Sequence, residues 1–137
     1  MPCLVNSRLW GKLMANERNP LIRMIAMPAD TNPAGDIFGG WLMAHMDLAG
    51  STVAVSRARM RVVTVSVEAM SFLLPVTVGD EVSFYGDLVT AGRTSMKVHV
   101  EAWRRRREDD QEFKVTEATF TFVAIGPDRR PHPLPEA

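Results

Sequence analysis

Cysteine is all but missing: Cys3 stands alone in 137 residues. No intramolecular disulfide can form, a cysteine-based metal site is excluded, and the usage fits a reducing compartment. Net charge is missing too. Sixteen basic and sixteen acidic side chains cancel, leaving no global field of the kind that gathers nucleic acid or an anionic membrane. No uninterrupted apolar run approaches the roughly 18 residues of a membrane span. The first ten residues carry Arg8 but no apolar stretch with a small-residue cleavage pattern, so no signal peptide is expected and the cytoplasm is the default compartment. Several enzyme signatures are absent as well. There is no Gly-x-Ser-x-Gly elbow, no Walker A segment, and no Gly-x-Gly-x-x-Gly between a strand and a helix. His45, His99 and His132 lack metal-ligand spacing, so no metal is expected.

What is present fits one domain. With 46% apolar and 23% charged residues, the chain can build one core but not two. Residues 1–19 are unpatterned and read as a loose N-terminal arm, pinned at most by Trp10. An apolar run at 21–27, stopped by Pro28, reads as a first strand, and 30–36 as a loop rich in Asn, Pro and Gly. A helix is expected from about 39 to 57, where Leu42, Met46, Ala49 and Val53 recur at helical spacing beside Met43, Gly50 and Ala54. Apolar on most sides, it should be wrapped rather than laid on a surface. Gly50 costs about 1 kcal/mol relative to Ala in mid-helix, which predicts close approach of another backbone.

Four strands should follow, at 62–74, 81–90, 94–105 and 113–125, separated by turn signals at Pro75 with Gly79-Asp80, at Ala91-Gly92, and at Glu108-Asp109-Asp110. Met96, Val98 and Val100 alternate with Lys97, His99 and Glu101. Phe120, Phe122 and Ala124 alternate with Thr119, Thr121 and Val123. Hairpin-length links make these strands antiparallel. The expected α+β architecture is a long helix wrapped by a curved antiparallel sheet of about five strands across 20–126, with a Pro-rich surface tail at 127–137.

The chemistry starts at Asp47, an acid inside this apolar helix. A buried carboxylate is costly without a partner, so its position suggests either function or a structural ion pair. Gly39 and Gly40 open the same helix and leave backbone N–H groups approachable by a substrate oxygen. An acid and a bare helix N-terminus are the two halves of an acyl-transfer site. Gly40 and Asp47 share a face, since seven residues turn about 700°, yet they lie about 10 Å apart along the axis. Productive groups sit near 3 Å, so if both act they must come from two copies of the chain, helices antiparallel across a dimer axis. His45 points about 200° from Asp47 around the helix and reads as packing or interface.

Basic residues allow two readings. Arg104 to Arg107 precede three acids and fit a salt-laced hairpin better than a nucleic-acid surface. Arg57, Arg59 and Arg61 follow the helix C-terminus, where they either complement its dipole or hold a phosphorylated ligand. Arg93-Thr94-Ser95, in a turn after Gly92, poses the same choice.

These residues also carry a resemblance. Met27-Pro28-Ala29-Asp30-Thr31-Asn32, Gly35-Asp36-Ile37-Phe38-Gly39-Gly40-Trp41 and Met46-Asp47 resemble the bacterial short acyl-CoA thioester hydrolases of the hotdog fold. So do Arg61-Val62-Val63-Thr64-Val65-Ser66-Val67-Glu68, Pro75-Val76-Thr77-Val78-Gly79-Asp80, Gly92-Arg93-Thr94-Ser95 and Ala118-Thr119-Phe120-Thr121-Phe122-Val123-Ala124. The likeness runs from about 21 to 135. It departs in Pro33-Ala34, where Ala-Asn is more usual, and in a short tail.

The resemblance implies a hotdog fold and a homodimer with a continuous sheet, commonly assembled as a trimer of dimers. Acyl-CoA would be the substrate, and coenzyme A would enter only as part of substrate and product, with no cofactor. Asp47 would be the catalytic carboxylate, as general base on water or as nucleophile through a transient anhydride, Asp36 would act from the other half of the site, and N–H groups near Gly39 and Gly40 would polarise the thioester carbonyl. Asn32, Phe38 and Thr64, with Arg57, Arg61, Arg93, Thr94 and Ser95, would contact substrate. Two alternatives remain: an acyl-thioester dehydratase or hydratase, which needs a His beside an acid, and a non-catalytic acyl-CoA binding module, which does not need Asp47.

Overall fold

The computed structural model describes residues 18–137; the expected arm, with Trp10 and Cys3, lies outside the described residues except for its last two positions. Five strands and one long helix follow in the expected order. They are β1 (Ile22–Ile25), α1 (Gly39–Ala58), β2 (Val62–Phe72), β3 (Glu81–Ala91), β4 (Ser95–Arg105) and β5 (Glu112–Ala124), with a 3-10 turn at Pro28–Asp30. All strands join one antiparallel sheet in the order β1-β3-β4-β5-β2. Short β1 covers only the first part of β3, and β2 forms the far edge.

The alternation read from β4 and β5 decides which sheet face meets α1. Met96, Val98, Val100, Phe120, Phe122 and Ala124 are buried on the helix side. Against them α1 lays Leu42, Met46, Ala49, Gly50, Ala54 and Ala58. Gly50 is needed for close approach, but of side chains rather than backbone. A Cβ there would stand 3.1 Å from the Phe122 ring and from Val100 Cγ2.

The sheet wraps one side of the helix only. Leu48 and Val55 point away from the sheet, and they and Met43 remain exposed. The apolar surface on most sides of α1 therefore exceeds what one sheet can cover. Nor does the Pro-rich tail lie loose. It folds back on β5, with His132 N–H donating to the Ala124 carbonyl (2.9 Å) and Leu134 N–H to that of Arg93 (2.8 Å), and Leu134 packs against the core.

Candidate active site

The helix N-terminus is bare. Phe38, with φ −61° and ψ 139°, begins α1 without a side-chain cap. Its carbonyl already accepts from Trp41 N–H (3.1 Å) and Leu42 N–H (3.4 Å). The N–H groups of Gly39 and Gly40 precede the first intrahelical donors and so lack helical acceptors. The two glycines differ. A Cβ on Gly39 would press on the Phe72 ring at 3.1 Å, whereas one on Gly40 would meet nothing within 4 Å. Gly39 lets β2 close over the helix start, and Gly40 keeps a surface open to something outside the chain.

Asp47 sits two turns along the same face. It is half-buried, not sequestered, and one carboxylate oxygen accepts a 2.5 Å hydrogen bond from the Thr64 hydroxyl. It makes no ion pair among the described residues, so the structural salt bridge weighed above is not there. Thr64 faces Phe122 of β5, and the β2 register slips immediately after it, before Ser66. Phe122 is buried on the helix side, so the regular pairing itself turns Thr64 toward α1. Thr64 thus orients the carboxylate.

Asn32 and Asp36 belong to one tight loop. The Asn32 side-chain carbonyl accepts from Ala34 N–H (2.9 Å) and Asp36 N–H (3.0 Å), and Asn32 N–H donates to the Asp36 carbonyl (2.7 Å). Gly35 closes the turn at φ +92°. Asn32 is therefore engaged in holding the loop, while the Asp36 carboxylate is exposed, with no partner among the described residues. Phe38, 46% exposed, stands at the open end of the helix.

The arginines separate into two groups. Arg57 donates to the Pro135 carbonyl (2.7 Å), and the Arg93 carbonyl receives Leu134, so both secure the tail. Thr94 and Ser95 shape the β3–β4 hairpin, the Thr94 carbonyl accepting from Ala124 N–H (2.9 Å) and that of Ser95 from Gly92 N–H (2.8 Å). Arg61 instead lines a pocket of about 420 Å³ with Met60, Ile125, Gly126, Pro127, Arg129 and His132. Sequence reading missed Arg129 and His132. The available signal was Pro127-Asp128-Arg129, a turn sequence with arginine where glycine is the easier residue.

Residues 34–111 match the Thioesterase superfamily. The acyl-CoA thioester hydrolase YciA of Salmonella typhimurium is 50% identical over 118 residues, covering 84% of this chain and 89% of that protein. The chain belongs to the thioesterase superfamily. The hexameric thioesterase of Yersinia pestis superposes with a TM-score of 0.83 at 44% identity, over 87% of this chain and 97% of that one. The hexameric hotdog fold thioesterase of Campylobacter jejuni does so with 0.81 at 39%, over 86% and 91%. The helix and its five-stranded sheet are a hotdog fold.

Other residues of this thioesterase-superfamily chain fall into structural roles. His45 Nδ1 donates to the Trp41 carbonyl (2.7 Å) and the ring stacks on Phe84, so no imidazole of α1 serves Asp47. Arg105 pairs with Glu81 (3.2 Å), and Arg106 lies 3.6 Å from the buried Asp80 and 2.5 Å from the Thr77 hydroxyl. The arginine run is salt-laced as expected, but to the start of β3 rather than to the side chains of its own hairpin.

His99, Glu101 and Glu117 do converge on the outer sheet face, their ligand atoms within 4.8 Å of one another, a proximity that sequence spacing hid. Cations already occupy that cluster. Lys114 holds Glu117 at 2.7 Å, pulling its carboxyl below the usual range while its own ammonium is pushed up. Burial alone would raise Glu101, yet hydrogen bonds from Trp103 and Arg18, with Lys114 close by, leave its carboxyl lowered.

Proposed function

We propose that the chain hydrolyses acyl-CoA thioesters to a free acid and CoA, at a site shared between two copies. One observation carries the reading: the bare N–H groups of Gly39–Gly40 and the Thr64-oriented carboxylate of Asp47 lie on one open face of α1, too far apart to serve one carbonyl. A second helix packed antiparallel supplies the missing half to each. The names of the relatives support the substrate class, and the hexamers among them support assembly.

In this mechanism the thioester oxygen docks on the N–H groups of one copy, where the helix dipole favours developing negative charge. Asp47 of the other copy takes a proton from water as its oxygen attacks the carbonyl carbon. The tetrahedral oxyanion then collapses, the C–S bond breaks, and CoA leaves as a thiolate that needs no strong acid. Thr64 occupies one oxygen of Asp47 and leaves the other for water. The hydratase reading loses support because His45 is turned into packing.

Asp47→Ala should lower turnover at least about 100-fold with fold and assembly intact, as expected for loss of a general base. Mixing it with Gly40→Pro, a substitution the first helical turn tolerates, should restore activity. With random exchange half the dimers are mixed and each keeps one of two sites undamaged, so about a quarter of wild-type turnover should return. Confirmed heterodimers without activity would place the site within one chain. Wild-type activity in Asp47→Ala would remove the catalytic role, and binding of acyl-CoA without turnover in the unmodified protein would leave a binding module.

A further inference from the structure

A strained residue in β2 has no part in the chemistry above. Ala69 stands at φ +42° inside the strand. Glycine takes that conformation without cost, whereas a side chain does not. Strain kept beside a site is a reason to ask what it holds in place. The pairing with β5 gives the local answer. Glu68 faces Thr119 and Ser71 faces Glu117, so β2 advances three residues where β5 advances two. The extra residue makes a β-bulge, and Ala69 lies within it.

That bulge decides where Phe72 points. Residues directly opposite one another in a sheet share a face, and a slip of one position moves each side chain to the other face. Continued without the bulge, the Glu68 register would set Ser71 opposite Thr116 and turn Phe72 outward. With it, Phe72 meets Thr116. Thr116 in turn pairs with Ala102, in line with buried Met96, Val98 and Val100 on the helix side. Two hydrogen bonds lock this register. The buried Thr116 hydroxyl donates to the Ser71 carbonyl (2.6 Å), and Leu73 N–H donates to that of Val115 (2.7 Å). The ring so placed does not fill the core, since Phe72 is half-exposed. Its tip lies on Gly39, where a Cβ would stand 3.1 Å from Cζ and 3.5 Å from both Cε atoms.

We propose that the β2 bulge is a positioning device for the reaction: it seats Phe72 on Gly39, and the ring fixes the first turn of α1 and keeps water from its N–H groups. This rests on the acyl-CoA reading and names what holds the carbonyl-binding half of that site. Both effects act on the transition state. An N–H aimed at a developing oxyanion contributes most when it is already in place and its surroundings are dry. The same segment grips the approach to the helix a second time, since Ile37 N–H donates to the Val76 carbonyl (3.2 Å). Phe72 is thus a positioning residue that acts through Gly39, and it has no reason to alter substrate affinity.

The test is a double-mutant cycle read in kcat, KM and Tm with an acyl-CoA that the wild type turns over. Phe72→Ala should lower kcat at least about tenfold with KM within about twofold, as for an interaction made in the transition state. Phe72→Leu, which refills part of the volume, should recover most of that loss. Gly39→Ala should lower both kcat and Tm in the wild type, because its Cβ meets the ring. In Phe72→Ala, where the ring is gone, it should cost nothing further. Deletion of Ala69 restores the regular register and should reproduce the kcat of Phe72→Ala, with the fold checked by circular dichroism; if the deletion does not fold, the Phe72 cycle decides. Wild-type kcat in Phe72→Ala or in a folded deletion variant would overturn the proposal and leave hydrolysis standing. So would a raised KM with kcat unchanged, or losses that simply multiply in the cycle. A wild type that hydrolyses no acyl-CoA would instead remove the hydrolase reading, while the Tm cycle would still report whether the ring sits on Gly39.

Discussion

In β4 every second residue from Met96 to Ala102 is fully buried, whereas β2, equally long at 11 residues, has no fully buried residue. The difference is not one of apolarity. Val62, Val63, Val65, Val67, Met70 and Phe72 make β2 at least as apolar as β4. What differs is cover. β4 lies mid-sheet under α1, while β2 is an edge with Val65 at 54%, Phe72 at 49% and adjacent Leu73 at 58% exposure. On the same side α1 presents Leu48 and Val55. An open apolar edge is a hazard that proteins manage by pairing or covering it. The chain is finished where it folds and unfinished where it works, for Asp47, Thr64 and Gly40 all belong to the uncovered side.

The largest expected break in that comparison is on the finished half. Phe122→Ala removes a fully buried ring packed on Gly50 and should cost about 3–5 kcal/mol of unfolding free energy, measured by denaturant titration. Turnover should fall only as the folded fraction falls. On the unfinished half, Val55→Asp should leave each chain folded by circular dichroism but reduce the sedimenting mass. Turnover should drop about 100-fold or more in proportion to dissociation, because a lone chain holds only half a site. A monomer that keeps wild-type activity would erase the distinction between the halves.

The smallest effect sharpens the finished side. Glu117, lowered by Lys114, contributes stability above the ordinary carboxylate range, and that contribution fades as acid titrates it. Glu117→Gln should therefore lower Tm slightly near neutrality, by less than about 1 kcal/mol equivalent, since the pair is partly exposed and screened by salt. The gap between variant and wild type should close as the pH falls well below the ordinary carboxylate range, and a gap that persists there would assign the effect to something other than charge.

The sequence located every strand and the helix because α1 carries a 3.6-residue repeat, β4 and β5 alternate, β2 and β3 are strand-forming runs bounded by turn residues, and β1 is a short apolar run bounded by prolines. Asp47 and the glycines were legible because an acid in an apolar helix and a Gly-Gly at its start each break a local rule. Residues acting through long-range contact were not legible. Thr64 looks like any polar residue of a strand until its pairing opposite Phe122 sets it on the helix side, beside Asp47. That Arg57 and the Arg93 carbonyl hold the returning tail could not be read from the sequence, because both contacts join residues far apart in the chain. His99, Glu101 and Glu117 lie 2 and 16 residues apart in the chain, and only the β4–β5 register brings them together.

The Asn32 side chain, bonded to two N–H groups of its own loop, has a consequence for the cost of recognition. A loop of Pro33, Ala34 and Gly35 left to itself would sample many shapes, and fixing each residue takes about 1–2 kcal/mol of conformational entropy. Here that freedom is surrendered once, when the chain folds. The backbone of Asp36 is already in position, and a ligand arriving at its exposed carboxylate need not organise the loop.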